Sequence, residues 1–321
     1  GGKVFFLPGY EDFGAGGTKA LRRLRKALDR AYGAALGRDD VDMMPEATCG
    51  TSEHVELTRN VSLLLVNSQW WMAGRISDPN LNDACLATSR KAFVGNVTDV
   101  MRKWRNRRLI IASHHPLMSY GEYGGGFSAA AHLSPAPVAG SAWVLARKAG
   151  LVGQYAAHPL VQSYVQTMFN EASRYGSFVF VSGHDESLQV LDVAGHAQVV
   201  AGTSGAAGRP VVKARGRDFA AAEPGWAELH LDAEGEGEVQ LFVNGRGPAH
   251  ISPLPAPHPL AAEPAGEPQP LPEGPVIAGY SKQRVWRLPG AVQFFTGSYY
   301  ADAFKLRLPY EVLDLEAQGL T

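Results

Sequence analysis

The sequence predicts an α/β fold, and three observations carry that prediction. Short apolar, β-rich runs at Lys3–Leu7, Ser62–Asn67, Arg108–Ala112 and Ser177–Val181 are continuous enough to be buried strands. Each gives way abruptly to glycine, proline or small polar residues. Between them lie segments whose apolar residues recur every three or four positions, the period of a helix packed on one face. Such folds collect their chemistry where strand ends empty into loops. The chain has 321 residues, 45% hydrophobic, with a formal net charge of −1, ample for one large domain or two smaller ones. Near-zero charge and no long basic run argue against nucleic acid as a partner. No apolar run reaches the roughly 18 residues of a transmembrane helix, and no signal-peptide pattern is visible.

Taken in order, Lys3–Leu7 (KVFFL) runs into Pro8-Gly9-Tyr10-Glu11-Asp12, a glycine turn that carries carboxylates. Thr18 caps a helix reaching about Ala35, with Leu21, Leu24, Leu28 and Tyr32 along one face and the basic residues on its solvated side. Ser62–Asn67 is followed by Trp70-Trp71, a pair suited equally to lining a cleft and to covering the core. A second helix starts at Thr88 or Ser89 and runs to about Trp104, and the basic cluster Arg105–Arg108 reads as solvated turn charge. Arg108–Ala112 ends in Ser113-His114-His115-Pro116, where proline stops the ladder and holds His115 extended.

The stretch Pro116–Gly140 is long and rich in glycine, and a loop of that length is usually functional. Tyr120, Tyr123 and the three glycines after it suit the rim of a cleft. Helices follow over Val144–Ala149 and about His158–Tyr175, then the strand Ser177–Val181 and the turn Ser182-Gly183-His184-Asp185-Glu186. Strands at Leu188–Asp192 and Ala197–Val200 and a hairpin of Ala227–Leu231 with Glu238–Val243 close the domain. Nine prolines from Pro253 to Pro275 mark residues 249–276 as an extended linker. The expected organisation is therefore a domain over 1–248, the linker, and a C-terminal extension over 277–321.

Two of these strands deliver histidine at their C-terminal ends, and a third ends in carboxylates. In an extended stretch residues i and i+2 point to the same side, so His184 and Glu186 can face one metal ion. On spacing alone, His-x-Glu is equally a polar turn. The convergence of three polar strand ends is what raises the metal reading.

Those motifs, in this order, resemble the calcineurin-like metallophosphoesterases, in particular a bacterial subgroup often joined to an outer-membrane barrel. The resemblance rests on Phe5-Phe6-Leu7-Pro8-Gly9, Asn67-Ser68-Gln69-Trp70-Trp71, His114-His115-Pro116-Leu117, Gly124-Gly125-Gly126-Phe127-Ser128, Ala157-His158-Pro159, and Ser182-Gly183-His184 with Ser187-Leu188-Gln189. It spans most of residues 3–245. It implies an α/β/β/α sandwich missing its first strands, because the two earliest metal motifs would precede Gly9, and the chain opening Gly1-Gly2 then reads as a fragment. It also implies two divalent ions about 3.5–4 Å apart in the family, with Zn, Mn or Fe the candidates and one or none held here.

Carried over by position, His114 and His184 match ligands of the second metal, Glu186 stands at a first-metal histidine, and Tyr10 at a metal-binding asparagine. Glu11 stands where a histidine assists the leaving group, and Asp12 is kept, which makes these two the catalytic candidates. His115 and Tyr120 are the substrate-binding candidates. The resemblance thus implies a metal-dependent hydrolase of a phosphoester small molecule or phosphoprotein, impaired in this chain. The alternative is a catalytically inactive binding domain of the cell envelope, in the periplasm or associated with the outer membrane. Cys49 and Cys85 lack Cys-x-x-Cys spacing, and free thiols and one disulfide both stay open; the mostly exported relatives imply the disulfide.

Overall fold

A computed structural model of the protein describes residues 3–13, 17–34, 37, 41–45, 50–72, 87, 89–202, 208–244 and 246–257, and the strand backbones 281–287 and 293–298. Cys49, Cys85, most of the Gly202–Gly208 run and the centre of the proline-rich stretch lie outside the described residues.

The chain begins with strand β1 (Val4–Phe6), the one-turn helix α1 (Tyr10–Phe13) and helix α2 (Gly17–Leu28), which widens into a π-helical turn over Asp29–Ala34. Strand β2 (Val41–Met43) pairs with β1 in a separate two-stranded parallel sheet, and Phe13, Leu21 and Met43 form its own small core. The strand read at Lys3–Leu7 therefore exists but does not join the main sheet.

The main body follows as β3 (Ser52–Glu56), β4 (Val61–Val66), α3 (Ser68–Met72), α4 (Arg90–Lys103), β5 (Arg108–Ser113), α5 (Ala129–Leu133), α6 (Pro137–Lys148), α7 (Pro159–Ser173), β6 (Phe178–Ser182), β7 (Leu188–Val193), β8 (His196–Ala201) and β9 (Phe219–Ala221). The seven strands form one mixed sheet in the order β3-β4-β5-β6-β8-β7-β9. Strands β4, β5, β6 and β8 are parallel neighbours, and β3, β7 and β9 run antiparallel to their partners.

Both faces of the sheet are covered, which explains the unbroken apolar runs of its central strands. On one face Leu109, Ile111, Phe178 and Phe180 pack with Phe93, Val97 and Met101 of α4 and Val161, Tyr164 and Met168 of α7. On the other, Ile110, Val179, Val190 and Val199 meet Val239, Leu241 and Val243. Those last three belong to an antiparallel sheet of β10 (Gly225–Leu231), β11 (Gly237–Val243) and β12 (Pro248–Pro253). The layers are thus helix, seven-stranded sheet and three-stranded sheet, a mixed α/β fold as predicted.

Trp70 and Trp71 are 2% and 0% exposed, so the pair covers the core and does not line a cleft. The indole N–H of Trp71 donates to the Leu160 carbonyl at 3.2 Å. Helix α4 begins where the sequence placed it, with the Ser89 side chain accepting from Ala92 N–H at 3.2 Å. The proline-rich stretch departs from expectation at its start. Residues 248–253 add a strand, Leu254 enters the second core, and Arg108 and Ser177 hold the carbonyls of Pro255 and Ala256. Proline is tolerated there because β12 is an edge strand. Within 277–321, β13 (Ser281–Arg287) and β14 (Gln293–Ser298) form an antiparallel hairpin. Among the described residues, no helix is long and apolar enough to cross a membrane.

Candidate metal centre

The register of the parallel strands builds the site. Val66, Ser113 and Ser182 lie side by side at the C-terminal ends of β4, β5 and β6. The next residues of each strand, Ser68, His114 with His115, and His184, therefore leave the sheet at one edge, where open α/β sheets carry ligands. Among the described residues, the nitrogens of His114, His115 and His184 form the one group of potential metal ligands, all within 4.8 Å of one another.

The hydrogen bonds separate these three histidines into two kinds. His115 is fully buried and both ring nitrogens are engaged. Its Nε2 lies 2.7 Å from Gln154 Oε1 and donates to it, and its Nδ1 accepts from Ser68 Oγ at 2.8 Å. Ser68 Oγ also accepts from the His115 backbone N–H at 3.1 Å. His115 is close enough to count geometrically as a ligand but has no lone pair to offer, and it touches no solvent. The geometry gives it a supporting place in place of the substrate contact read from sequence.

His184 and His114 differ. Nε2 of His184 donates to the backbone carbonyl of Gln154 at 2.8 Å, which fixes the tautomer and leaves Nδ1 bare. That Nδ1 faces Nε2 of His114 at 3.1 Å. Either His114 carries its proton on Nε2 and closes an N–H···N bond, or it carries it on Nδ1 and two lone pairs converge on a cation. Two nitrogens each about 2.0–2.1 Å from one ion stand about 2.9–3.4 Å apart for angles between octahedral and tetrahedral, so the observed pair fits a single ion. The His184 N–H held by a carbonyl is the outer-shell bond that metal-ligating histidines typically make.

Electrostatics favours the ligand form. Burial pushes His114 down to about 4. Burial first, then the neighbouring His114, pushes His184 down to about 3. Burial also holds His115 well below the ordinary histidine value. All three are neutral imidazoles near pH 7. His184 and Gln154 both sit at positive φ, 65° and 71°, a backbone state uncommon for residues with a Cβ. The ring of Tyr123 lies against His184 with centroids 4.1 Å apart.

The N-terminal unit reaches this centre through its backbone. A Cβ on Gly9 would come within 2.7 Å of His114 Cε1, so only glycine allows this approach, and Tyr10 N–H points at His114 Nε2 at 3.4 Å. The Tyr10 side chain is 49% exposed, and Glu11 is exposed on α1. Asp12 accepts from Gly9 N–H at 2.9 Å and so caps its own turn.

The His184 turn also decides against Glu186. Asp185 N–H donates to Gly183 O and Ser187 N–H to Asp185 O, each at 2.8 Å, so the segment is folded where the i, i+2 argument needs it extended. Asp185 points inward, fully buried, and accepts from the N–H groups of Tyr123 and Gly124 at 3.4 and 3.2 Å. Glu186 turns outward to Arg209, whose Nε donates to Oε2 at 3.0 Å. The donor set therefore fits one ion on His114 and His184 and does not fit a second ion on Glu186 and Tyr10.

Tyr120 stands apart from the imidazoles. Its hydroxyl donates to Asp218 Oδ2 at 2.7 Å, and burial together with that carboxylate pushes it up to about 12. Three site residues were not singled out from sequence: Gln154, Asp185 and Arg209. Asp185 was legible only as part of a polar turn, and nothing local marks Gln154 or Arg209.

No family model matches the chain, and no curated protein matches it. A search of solved structures finds the protein described as "GAP50 the anchor in the inner membrane complex of Plasmodium", 11% identical, with a TM-score of 0.37, over 64% of this chain and 54% of that one. The chain thus spans about half the length of that structure.

Proposed function

We propose that this chain is a metallophosphoesterase-type domain reduced to a single histidine-held divalent cation, a metal-dependent phosphoester hydrolase whose turnover is impaired. The observation that carries the reading is the pair His114 Nε2 and His184 Nδ1 at 3.1 Å, with the other nitrogen of His184 committed to the Gln154 carbonyl. His114 and His184 would hold the ion, and His115 and Gln154 would set their orientation. When bound, such an ion supplies Lewis-acid stabilisation of a phosphoryl oxygen. The chain's own contribution is a neutral, half-buried donor pair and a small cleft beside it lined by Tyr123, Gly124 and Gln154. Phosphoester as the substrate class comes from the sequence resemblance.

A second reading, a non-catalytic binding domain of the cell envelope, is favoured by one observation. Glu186, the position of a first-metal ligand in the related motif, is occupied by an ion pair with Arg209. Elemental analysis of the purified chain beside His184→Ala tests the first reading, followed by hydrolysis of p-nitrophenyl phosphate. About one Zn, Mn or Fe per chain, lost in the variant, with slow metal-dependent hydrolysis supports it. No bound metal after incubation with excess ions sinks it. Bound metal with no hydrolysis leaves the binding-domain reading.

A further inference from the structure

We infer that the helical hairpin of α5 and α6 is a membrane-docking element that seats on the acyl-chain boundary of a lipid bilayer; this does not rest on the one-ion reading of the histidines. Residues 123–146 carry no Asp, Glu, Lys or Arg, although these residues make up 19% of the chain. The one histidine of the stretch, His132, is half-buried. The hairpin nonetheless faces solvent. Val138 is 84% exposed, Leu133 60%, Trp143 48% and Leu145 47%.

Helix α6 has two apolar faces, and the fold uses only one of them. Gly140 and Val144 are its buried residues. A Cβ on Gly140 would come within 2.6 Å of the His132 carbonyl oxygen, so glycine lets α6 close on the end of α5. Val144 packs with Phe127 and Tyr155 in a small core separate from those of the main sheet. Val138, Ala142 and Leu145 follow at i, i+4 and i+7 and are exposed. A helix apolar on all sides belongs in a core or in lipid. At 12 residues α6 is about 18 Å long, too short to cross a bilayer and suited to lying in its interface.

The chemistry favours lipid over a protein partner. The exposed positions around the stripe are alanine, proline and serine, which offer no charge by which a protein could set its register. Charge returns only at the end of the hairpin, where Arg147 and Lys148 close α6. The Arg147 guanidinium lies 5.0 Å from the ring centroid of Trp143 and 3.6 Å from Glu122. Tryptophan beside basic side chains is the composition of the headgroup level of a bilayer, with the apolar stripe set deeper.

The test is flotation of the full chain with vesicles of phosphatidylcholine and phosphatidylglycerol. Wild type is expected to float with the vesicles. Val138→Glu with Leu145→Glu is expected to lower the partition coefficient at least tenfold and to keep the melting temperature, because both side chains are exposed. Ile251→Glu, at an exposed apolar position on β12, is expected to stay within twofold of wild type. Vesicles with brominated acyl chains are expected to quench part of the tryptophan fluorescence, and Trp143→Phe to remove that quenched part. No flotation of wild type, flotation of the double variant within twofold of wild type, or quenching unchanged in Trp143→Phe each overturns the inference. A wild-type dimer that the double variant converts to a monomer, with no flotation, shows that a second copy covers the hairpin and overturns it too.

Discussion

Glu186 lies two residues beyond His184, and its carboxylate sits 3.0 Å from Nε of Arg209, turned away from the imidazole that the sequence places beside it. The cause is local. His184 adopts φ 65°, and the two tight turns after it send Asp185 into the protein and Glu186 out. Residue type at position 186 is therefore not what keeps it from the imidazole pair. Glu186→His is expected to leave metal content at about one ion per chain. Elemental analysis giving two would show that the turn reorganises around a second ion.

The histidines make the fold sensitive to acid. His114 and His184 titrate at about 4 and about 3 when folded, against an ordinary value near 6.5. The unfolded chain takes up protons first, so the contribution is complete above about pH 6.5 and is lost as pH falls through 4 and 3. At about 1.4 kcal/mol per pH unit of separation, His114 alone accounts for about 3 kcal/mol. Asp185 acts in the opposite sense: burial pushes it up to about 6, so its share is present below about pH 4 and is lost as pH rises through 6. Urea unfolding in EDTA at pH 7, 5 and 4 should show falling stability in wild type and a shallower fall in His114→Asn. A flat profile in wild type would contradict the neutral-histidine picture.

Gln154 serves two histidines by two different groups, its carbonyl for His184 and its amide for His115. Gln154→Gly keeps the carbonyl and accepts the positive φ, so metal content should persist while stability drops by about 1–3 kcal/mol from the unpaired His115 nitrogen. Gln154→Val resists that φ and should displace the carbonyl, lowering metal affinity about tenfold or more. Competition against a chromophoric chelator reads both. Equal metal affinity in the two variants would remove the carbonyl from the argument.

Asp185 fastens the glycine-rich loop to the sheet edge that carries His114 and His184. A Cβ on Gly121 would fall on its carboxylate, so Gly121→Ala should cost about 1–3 kcal/mol. In an Asp185→Ala background that cost should shrink, because the obstructing carboxylate is gone. Additive losses in thermal unfolding of the double variant would show that the two residues do not meet.

Arg108 is 1% exposed and ties the exit of the sandwich together. Its Nε donates to Gly235 O at 2.8 Å and a terminal nitrogen to Pro255 O at 2.5 Å. Arg108→Met strands two carbonyls, at about 1–3 kcal/mol each if buried. Loss of stability together with faster proteolysis within residues 254–257 is the expected result. Unchanged protection of that segment would mean that Leu254 alone holds it.

The sequence by itself determined the α/β class, the strands that carry His114 and His184, and their delivery at strand ends. Each of these follows from a local pattern: an unbroken apolar run, then a residue that stops it. It did not determine that Lys3–Leu7 would leave the main sheet, that Trp70 and Trp71 would be core, or that residues 248–253 would pair as a strand. Those outcomes depend on which surface is left uncovered once the sheets pack. Nor did it separate His115 from His114, though they are adjacent in sequence. Only the tertiary structure brings Ser68 and Gln154 from 47 and 39 residues away to occupy both nitrogens of one ring. The same holds for Glu186. Its spacing to His184 is readable in the chain, but side-chain direction is a property of φ and ψ, and a single residue at positive φ reverses it.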